Sequence, residues 1–387
     1  MMTDSTRESA YEAALAALIE RVRETRAEVG TEFPLYADPE TGEWVTTSDG
    51  DWCGGHWIGL LWLATKYVDD ADERATMRET AYARTETVLH ELPAETMFRG
   101  CNLLYAGFRG YDVTGDRKLF GLGLAGADDV RAHFDERARQ VPLGEFQIRG
   151  PDNFRGEPSG DDPGGDVIGA VDSIYTSLPV LWRAFAETRT PVFRDTAVSH
   201  ADRHLDWFVR SDGSTWHHAE FDPESGSLFR QYNELAQSDE TCWARGQGWN
   251  IAGLARAYGE TGAERYLHAL EQTTRYYVEH APPDLVPRWD LAVSDPDEPR
   301  DTSSAALAAY GLARLRGPDQ RVARLRRSGR EILDSLVHSY LVTDPDDPRY
   351  GMLFQGCYNR PGEFATDNEL IWSDYYLAYT LDALLGR

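Results

Sequence analysis

Apolar positions recur along the chain with helical spacing. Ala14, Leu15, Leu18, Ile19 and Val22 form one stripe, and comparable stripes run through 75–91, 182–186, 195–209, 249–258, 264–280, 304–316 and 323–340. Runs that alternate with period two are few and short, so the pattern predicts a largely helical protein. A local theme repeats at GYDVTGD (110–116), AFAETRTP (184–191) and AYGETG (257–262): an apolar or aromatic helix end enters a Thr-containing turn and a new helix begins. These turns are about 70 residues apart, and 387 residues shared among six hairpins average about 64 each. The spacing predicts a toroid of six helical hairpins.

Three segments interrupt the helical pattern. RGPDNFRGEPSGDDPGGD (149–166) is too long and too rich in Gly, Pro and Asp for an ordinary connection, and it predicts a long irregular loop over 145–168. SDPDEPRD (294–301) and TDPDDPRY (343–350) are shorter acidic turns. None reads as a linker between two folds, so 1–387 is expected to form a single catalytic domain.

Charge narrows the range of partners. The chain carries 65 acidic and 39 basic residues, a formal net charge of −26, with lysine only at Lys66 and Lys118. Such an acidic surface suits high salt, where the Debye length falls to roughly 3 Å near 1 M and self-repulsion is screened, so a halophilic setting is expected. It would repel nucleic acid, which is excluded as a partner. Cys53, Cys101, Cys242 and Cys357 form no C-x-x-C pair, and reduced thiols in a cytoplasm are the expectation. The N-terminus lacks the basic start and apolar run of a secretory signal, and no stretch approaches the ~20 apolar residues of a membrane span. Oligomeric state is not encoded in any of these features.

Several motifs point nowhere. G-x-G-x-x-G occurs at Gly121, Gly123 and Gly126, but in a helical stretch and not after a strand, so it reads as small residues easing helix packing. His200 and His204 are four apart without the glutamate of a zinc protease and read as a structural pair. No G-x-S-x-G elbow occurs and the acidic loops do not match a calcium loop. Neither a metal nor a cofactor is expected.

The segment 210–249 differs in kind. RSDGSTWHHAEFDPESG and SDETCWARGQGWNIAG concentrate polar and aromatic residues where a packing helix needs neither. Trp243, Arg245 and Trp249, with His217 nearby, suit a sugar acid: indole faces stack on C–H surfaces and a guanidinium pairs with a carboxylate.

At these residues the sequence resembles the unsaturated glucuronyl hydrolases, family 88 of the glycoside hydrolases. The resemblance also rests on WCGGHWIGLLWLA (52–64), VDSIYTSLPVLWRA (171–184), WDLAVSDPDEPRDTSSAA and IWSDYYL (371–377), in the family's order over roughly residues 50 to 380. It implies an all-α (α/α)6 barrel and an unsaturated oligosaccharide substrate, the product of a polysaccharide lyase, ending in a 4,5-unsaturated uronic acid. It further implies that an aspartate protonates C4 of the vinyl ether, water adds at C5 and the hemiketal falls apart. Asp172 occupies the matching position, although an aspartate there is also a natural N-cap for a helix starting near Ser173. His217, Trp243, Arg245 and Trp249 would line the sugar subsite, with Trp52 and Tyr358 at its edge.

Two positions depart from the family pattern. A second aspartate is absent, because the matching position is Phe98 in MFRGCNLLY, and a pocket glutamine aligns near Leu235. Glu145, Glu157, Asp161 and Asp166 are the candidate replacements for the missing carboxylate. The departures keep open a drift towards a different uronide. They also keep open a sugar epimerase or isomerase, which would need paired histidines such as His217 and His218 facing one sugar, and a non-catalytic glycan-binding protein.

Overall fold

The computed structural model describes residues 4–145 and 165–386. Among them, helices succeed one another as α1 (Asp4–Val29), α2 (Gly54–Ala64), α3 (Ala71–Glu91), α4 (Arg99–Leu103), α5 (Arg109–Thr114), α6 (Arg117–His133) and α7 (Ser173–Thr188). They continue as α8 (Pro191–Phe208), α9 (Ala244–Thr261), α10 (Glu264–His280), α11 (Thr302–Leu312), α12 (Gln320–Ser335) and α13 (Ile371–Leu385). A π-helical turn, Leu104–Phe108, joins α4 and α5 into one element.

Burial sorts these helices into two rings. Every residue of α2 is buried, as are most of α9, α11 and α13, which is the signature of helices packed on all sides. In contrast α12 buries only Val322, Leu325, Gly329, Ile332 and Leu333, one stripe of an otherwise solvated helix. The inner members touch in a closed circuit: α2 against the α4–α5 element, α4 against α7, α7 against α9, α9 against α11, α11 against α13, and α13 back against α2. The remaining long helices cover them from outside. This is the (α/α)6 barrel that the spacing and the resemblance anticipate.

The three Thr-containing turns close hairpins by one device. Thr114, Thr188 and Thr261 each donate a side-chain hydrogen bond to the carbonyl four residues back, at 2.7–2.8 Å. Each hydroxyl also accepts the backbone N–H two residues on, at 3.1–3.2 Å. Between them Gly115, Arg189 and Gly262 take left-handed conformations that end the helix. One threonine thus satisfies groups on both sides of the turn.

Two apolar stripes end earlier than the pattern suggests. The stripe at 304–316 is helical only to Leu312, and that at 323–340 leaves the α-helix at Ser335 for a π-helical turn, Leu336–Tyr340. Of the irregular loop predicted at 145–168, the segment 146–164 lies outside the described residues, and its end forms a turn at Gly165–Val167 and enters a strand at Ile168.

The glycine motif packs helices. In α6, a Cβ on Gly123 would sit 2.5 Å from the Phe108 ring and one on Gly126 would sit 2.7 Å from Leu103, while Gly121 faces nothing within 4 Å. From the opposite side a Cβ on Gly107 would lie 2.6 Å from the Gly123 nitrogen and 2.8 Å from the Leu119 carbonyl oxygen, both backbone atoms that cannot swing away. Gly107→Ala is therefore expected to cost roughly 1–3 kcal/mol by overpacking, read as a lower denaturant midpoint with an unchanged slope. His200 and His204 are buried in α8, where Val141 donates its N–H to His200 Nδ1 (3.3 Å) and His204 Nε2 meets Asn250 Oδ1 (3.1 Å).

Two small antiparallel sheets frame one end of the barrel. β1 (Phe33–Ala37) lies between β2 (Trp44–Thr47) and β6 (Glu369–Leu370), and β4 (His218–Phe221) lies between β3 (Ile168–Ala170) and β5 (Leu228–Tyr232). Ala170 pairs with His218, and the Val171 N–H donates to the His217 carbonyl (2.8 Å), which fixes Asp172 beside the two histidines.

Candidate active site

A cavity of about 600 Å³, part of it continuous with solvent, opens where the inner helices begin. Trp52 precedes α2, and Phe98, Asp172 and Trp243 stand at the N-cap positions of α4, α7 and α9. The positive ends of several helix dipoles therefore converge on this cavity, a setting that favours an anionic ligand. All seven residues singled out from the sequence line it: Trp52, Asp172, His217, Trp243, Arg245, Trp249 and Tyr358.

Asp172 holds the N-cap position of α7 but does not act as a cap. Its backbone is already helical and its side chain accepts no hydrogen bond from the helix. Oδ1 is buried without a protein hydrogen-bond partner, and the residue is 8% exposed. Burial pushes the carboxyl up to about 7, with the Arg245 guanidinium pulling in the other direction. A carboxyl in this state is half protonated near neutrality and is ready to give a proton away.

Arg245 projects from the first turn of α9 and is held by the chain around it. Its guanidinium donates to the carbonyls of Cys357 (2.5 Å) and Tyr358 (2.6 Å), lies 3.7 Å from Asp301 Oδ2, and stacks over Trp243 at 4.6 Å. Asp301 is fully buried at the N-cap of α11, where its Oδ1 accepts from Ser303 Oγ (2.5 Å) and Ser303 N (3.0 Å). The cation is thus a fixed feature of the cavity wall and not a mobile arm.

The aromatic rim is equally tied down. Trp52 Nε1 donates to the Tyr358 hydroxyl (2.7 Å), and the Trp52 ring packs on Phe98 and Trp372 at 5.0 and 4.8 Å. Trp249 is 1% exposed and stacks on Tyr175 at 6.0 Å, so it serves the core as well as the wall. His217 lies 4.6 Å from the Trp243 ring and stacks on His218 at 3.7 Å. The two histidines share one wall and do not face each other across the cavity, which removes the acid/base arrangement an epimerase needs. The buried position of Asp172 likewise withdraws the ground for a purely glycan-binding protein.

The described candidates to replace the missing aspartate do not line the cavity. Glu145 and Asp166 are exposed and absent from the lining, and Glu157 and Asp161 lie outside the described residues. Glu234 lines the cavity instead, with Oε2 at 3.4 Å from His218 Nδ1. Phe98 does face the cavity, where with Met97, Leu143 and Leu235 it makes an apolar stretch of wall. The one sequence signal for Glu234 is its place beside Leu235 in NELAQSDETCW, where the resemblance places a pocket glutamine.

No group of three or more metal-ligating side chains occurs among the described residues. No described helix is long and apolar enough to cross a membrane.

A closed helical toroid with a buried acid in an aromatic-lined, cation-bearing cavity defines a carbohydrate-active enzyme of the (α/α)6 class. The sequence profile of Glycosyl Hydrolase Family 88 matches residues 171–339, which include Asp172, His217, Trp243, Arg245 and Trp249. An unsaturated glucuronyl hydrolase of Formosa agariphila is 30% identical over 339 residues, covering 86% of this chain and 79% of its own. One of Bacillus sp. strain GL1 is 29% identical over 361 residues, covering 92% and 91%. The crystal structure of unsaturated glucuronyl hydrolase from Bacillus sp. GL1, described as responsible for the degradation of glycosaminoglycan, superposes with a TM-score of 0.83 at 26% identity over 97% of this chain and 96% of that one. The chain belongs to glycoside hydrolase family 88.

Proposed function

We propose that this enzyme removes a 4,5-unsaturated uronic acid from the non-reducing end of lyase-generated oligosaccharides, with Asp172 as its acid. The observation that carries this reading is a buried, uncapped carboxyl held near neutrality in a cavity that also bears a fixed guanidinium. A vinyl ether needs a proton delivered to carbon, and a carboxyl kept partly in its acid form at neutral pH can deliver one.

Asp172 gives its proton to C4, the C4–C5 double bond supplies the electrons for the new C–H bond, and positive charge develops at C5 and the ring oxygen. Water adds at C5 and loses a proton to the Asp172 carboxylate, restoring the acid. The resulting hemiketal opens as its hydroxyl proton passes through water to the ring oxygen and the bond from C5 to that oxygen breaks, leaving a ketone at C5 and a hydroxyl on C1. The C1 hemiacetal so formed then expels the remaining sugar as an alcohol. Arg245 holds the substrate carboxylate, and the indoles of Trp243, Trp249 and Trp52 take the sugar's C–H faces, with His217 and Tyr358 completing the subsite. A single water is consumed and neither metal nor cofactor is needed.

The test mixes purified protein in high salt with unsaturated disaccharides of several uronides and follows the loss of the ultraviolet absorbance of the conjugated alkene. Because the working form of Asp172 is protonated, kcat/KM is expected to be level on the acid side and to fall about tenfold per pH unit above roughly 7. Unchanged absorbance with every uronide would sink the proposal, and a profile rising through neutrality would sink the role of Asp172 as acid.

A further inference from the structure

The opposite end of the barrel carries a second cavity, which the hydrolytic reading does not use. It has a volume of about 720 Å³, part of it continuous with solvent, and opens where α9 and α11 end. Three guanidiniums line it, those of Arg256, Arg314 and Arg316, against a single carboxylate, Glu260, and the phenols of Tyr175 and Tyr310 complete the polar lining. In a chain of 65 acidic and 39 basic residues, the ratio of charges is inverted here.

Ordinary structural roles leave much of this charge unused. Arginines beside helix C-termini commonly donate to the last carbonyls and answer the negative end of the dipole. Among the described residues, none of these three donates to a backbone carbonyl. Arg256 Nη2 pairs with Glu260 Oε1 (2.6 Å), one turn on, while its Nε is buried with no hydrogen-bond partner. Arg314 lies over the Tyr310 ring, 4.2 Å from its centroid, with no described carboxylate within ion-pair distance, and Arg316 is exposed. A guanidinium has five N–H donors, so stacking on Tyr310 leaves Arg314 most of its own to offer. The excess of positive charge is felt by Tyr310 itself: burial would raise its phenol, yet Arg314 and Arg109 together hold it below its ordinary value.

Such forks suit the oxygens of a small tetrahedral oxyanion, which takes parallel N–H···O bonds from arginine and single bonds from phenol hydroxyls. We propose that this cavity is an anion site for inorganic phosphate or sulfate, with Arg314 and Arg316 as its principal donors and Tyr310 beside them. Tyr175 separates it from the catalytic cavity, since its ring stacks on Trp249 at 6.0 Å and meets Tyr310 edge-on at 5.7 Å. The site is therefore distinct from the wall that holds Arg245, and it stands whether or not the hydrolytic reading does.

The experiment titrates phosphate and, separately, sulfate into the full chain at constant ionic strength set with chloride, and follows the denaturant midpoint. Both oxyanions stabilise folded proteins generally by exclusion from their surface, so the diagnostic is a saturating rise on top of a linear one. Wild type is expected to show the saturating rise. Arg316→Gln needs roughly tenfold more oxyanion to reach half of it, and Arg314→Gln loses it. Glu260→Gln, which removes the one opposing charge and releases Arg256, binds several-fold more tightly. Because Arg316 and Glu260 lie at the surface, their variants read the site even where Arg314→Gln fails to fold. A saturating rise with one oxyanion and not the other supports the site and identifies the ion it selects. A wild-type response that is only linear with both overturns the proposal, as do titrations of wild type and Arg316→Gln that superpose or weaker binding in Glu260→Gln.

Discussion

Asp172→Asn is expected to lower kcat/KM by roughly 10³-fold or more, the loss that follows removal of a general acid, while leaving the fold intact. Asparagine keeps the shape of the side chain and its place at the head of α7, but has no proton to deliver to carbon. The same variant separates catalytic from structural roles through its stability. The carboxyl is held near 7 by burial, against an ordinary value of 3.8, so the folded state resists ionisation. For an acid shifted upward, the stabilising contribution is complete below the unfolded value and is lost as pH rises through the folded one. Wild type therefore sheds up to a few kcal/mol between about pH 4 and 7, and Asp172→Asn does not. The variant should be nearly inactive yet at least as stable as wild type above neutrality, as read by denaturant unfolding across pH. A capping aspartate would behave oppositely, with the asparagine neutral or mildly destabilising and kcat/KM unchanged.

That contrast explains which parts of the site were legible in the sequence. The hairpin turns were, because Thr114, Thr188 and Thr261 do their work within a few residues of chain and leave a repeated local signature. The aromatic rim was, because Trp243, Arg245 and Trp249 fall within two turns of one helix, where their chemistry conflicts with simple packing. Asp172 was visible by resemblance, but its local context permitted capping equally well, and only the buried, unbonded oxygen distinguishes the two. Glu234 was not legible. Its relevance depends on the hairpin of β4 and β5 bringing residue 234 back against His218, and an acidic residue in a polar run resembles any solvated loop. Phe98 was visible as the place of a missing aspartate, but the apolar wall it makes with Met97 and Leu143 was hidden, since Leu143 arrives from a distant part of the chain.

The largest expected effect on stability lies at a contact whose partners are 348 positions apart in the chain. Arg21 in α1 grips Glu369 in β6, immediately before the last inner helix, with Nη2 at 2.6 Å from Oε2 and Nε at 3.2 Å from both carboxylate oxygens. The same guanidinium donates to the Gly42 carbonyl (2.7 Å), and Asp374 of α13 shares a hydrogen bond with Glu369. All three side chains are buried, so the chain's first helix and its last are joined where the toroid closes. A buried pair of this kind adds little over a well-packed apolar substitute when both partners are exchanged, but removing one strands the other. Arg21→Met leaves two buried carboxyls without their cation and is expected to cost about 3–5 kcal/mol in denaturant unfolding. Arg21→Lys keeps the charge without the fork and should fall between. Burial already raises the pKa of Glu369 and Asp374, with Arg21 opposing, so each favours the folded state when protonated and loses that contribution as pH rises through its folded value. Without Arg21 the loss is larger, so the deficit of Arg21→Met is expected to be greatest at neutral and alkaline pH and to shrink as the solution is acidified. A deficit independent of pH would assign the cost to lost packing of the arginine stem instead of to stranded charge. Because the contact closes the ring and does not touch the cavity, the variant that remains folded at low temperature should keep the wild-type pH break in kcat/KM.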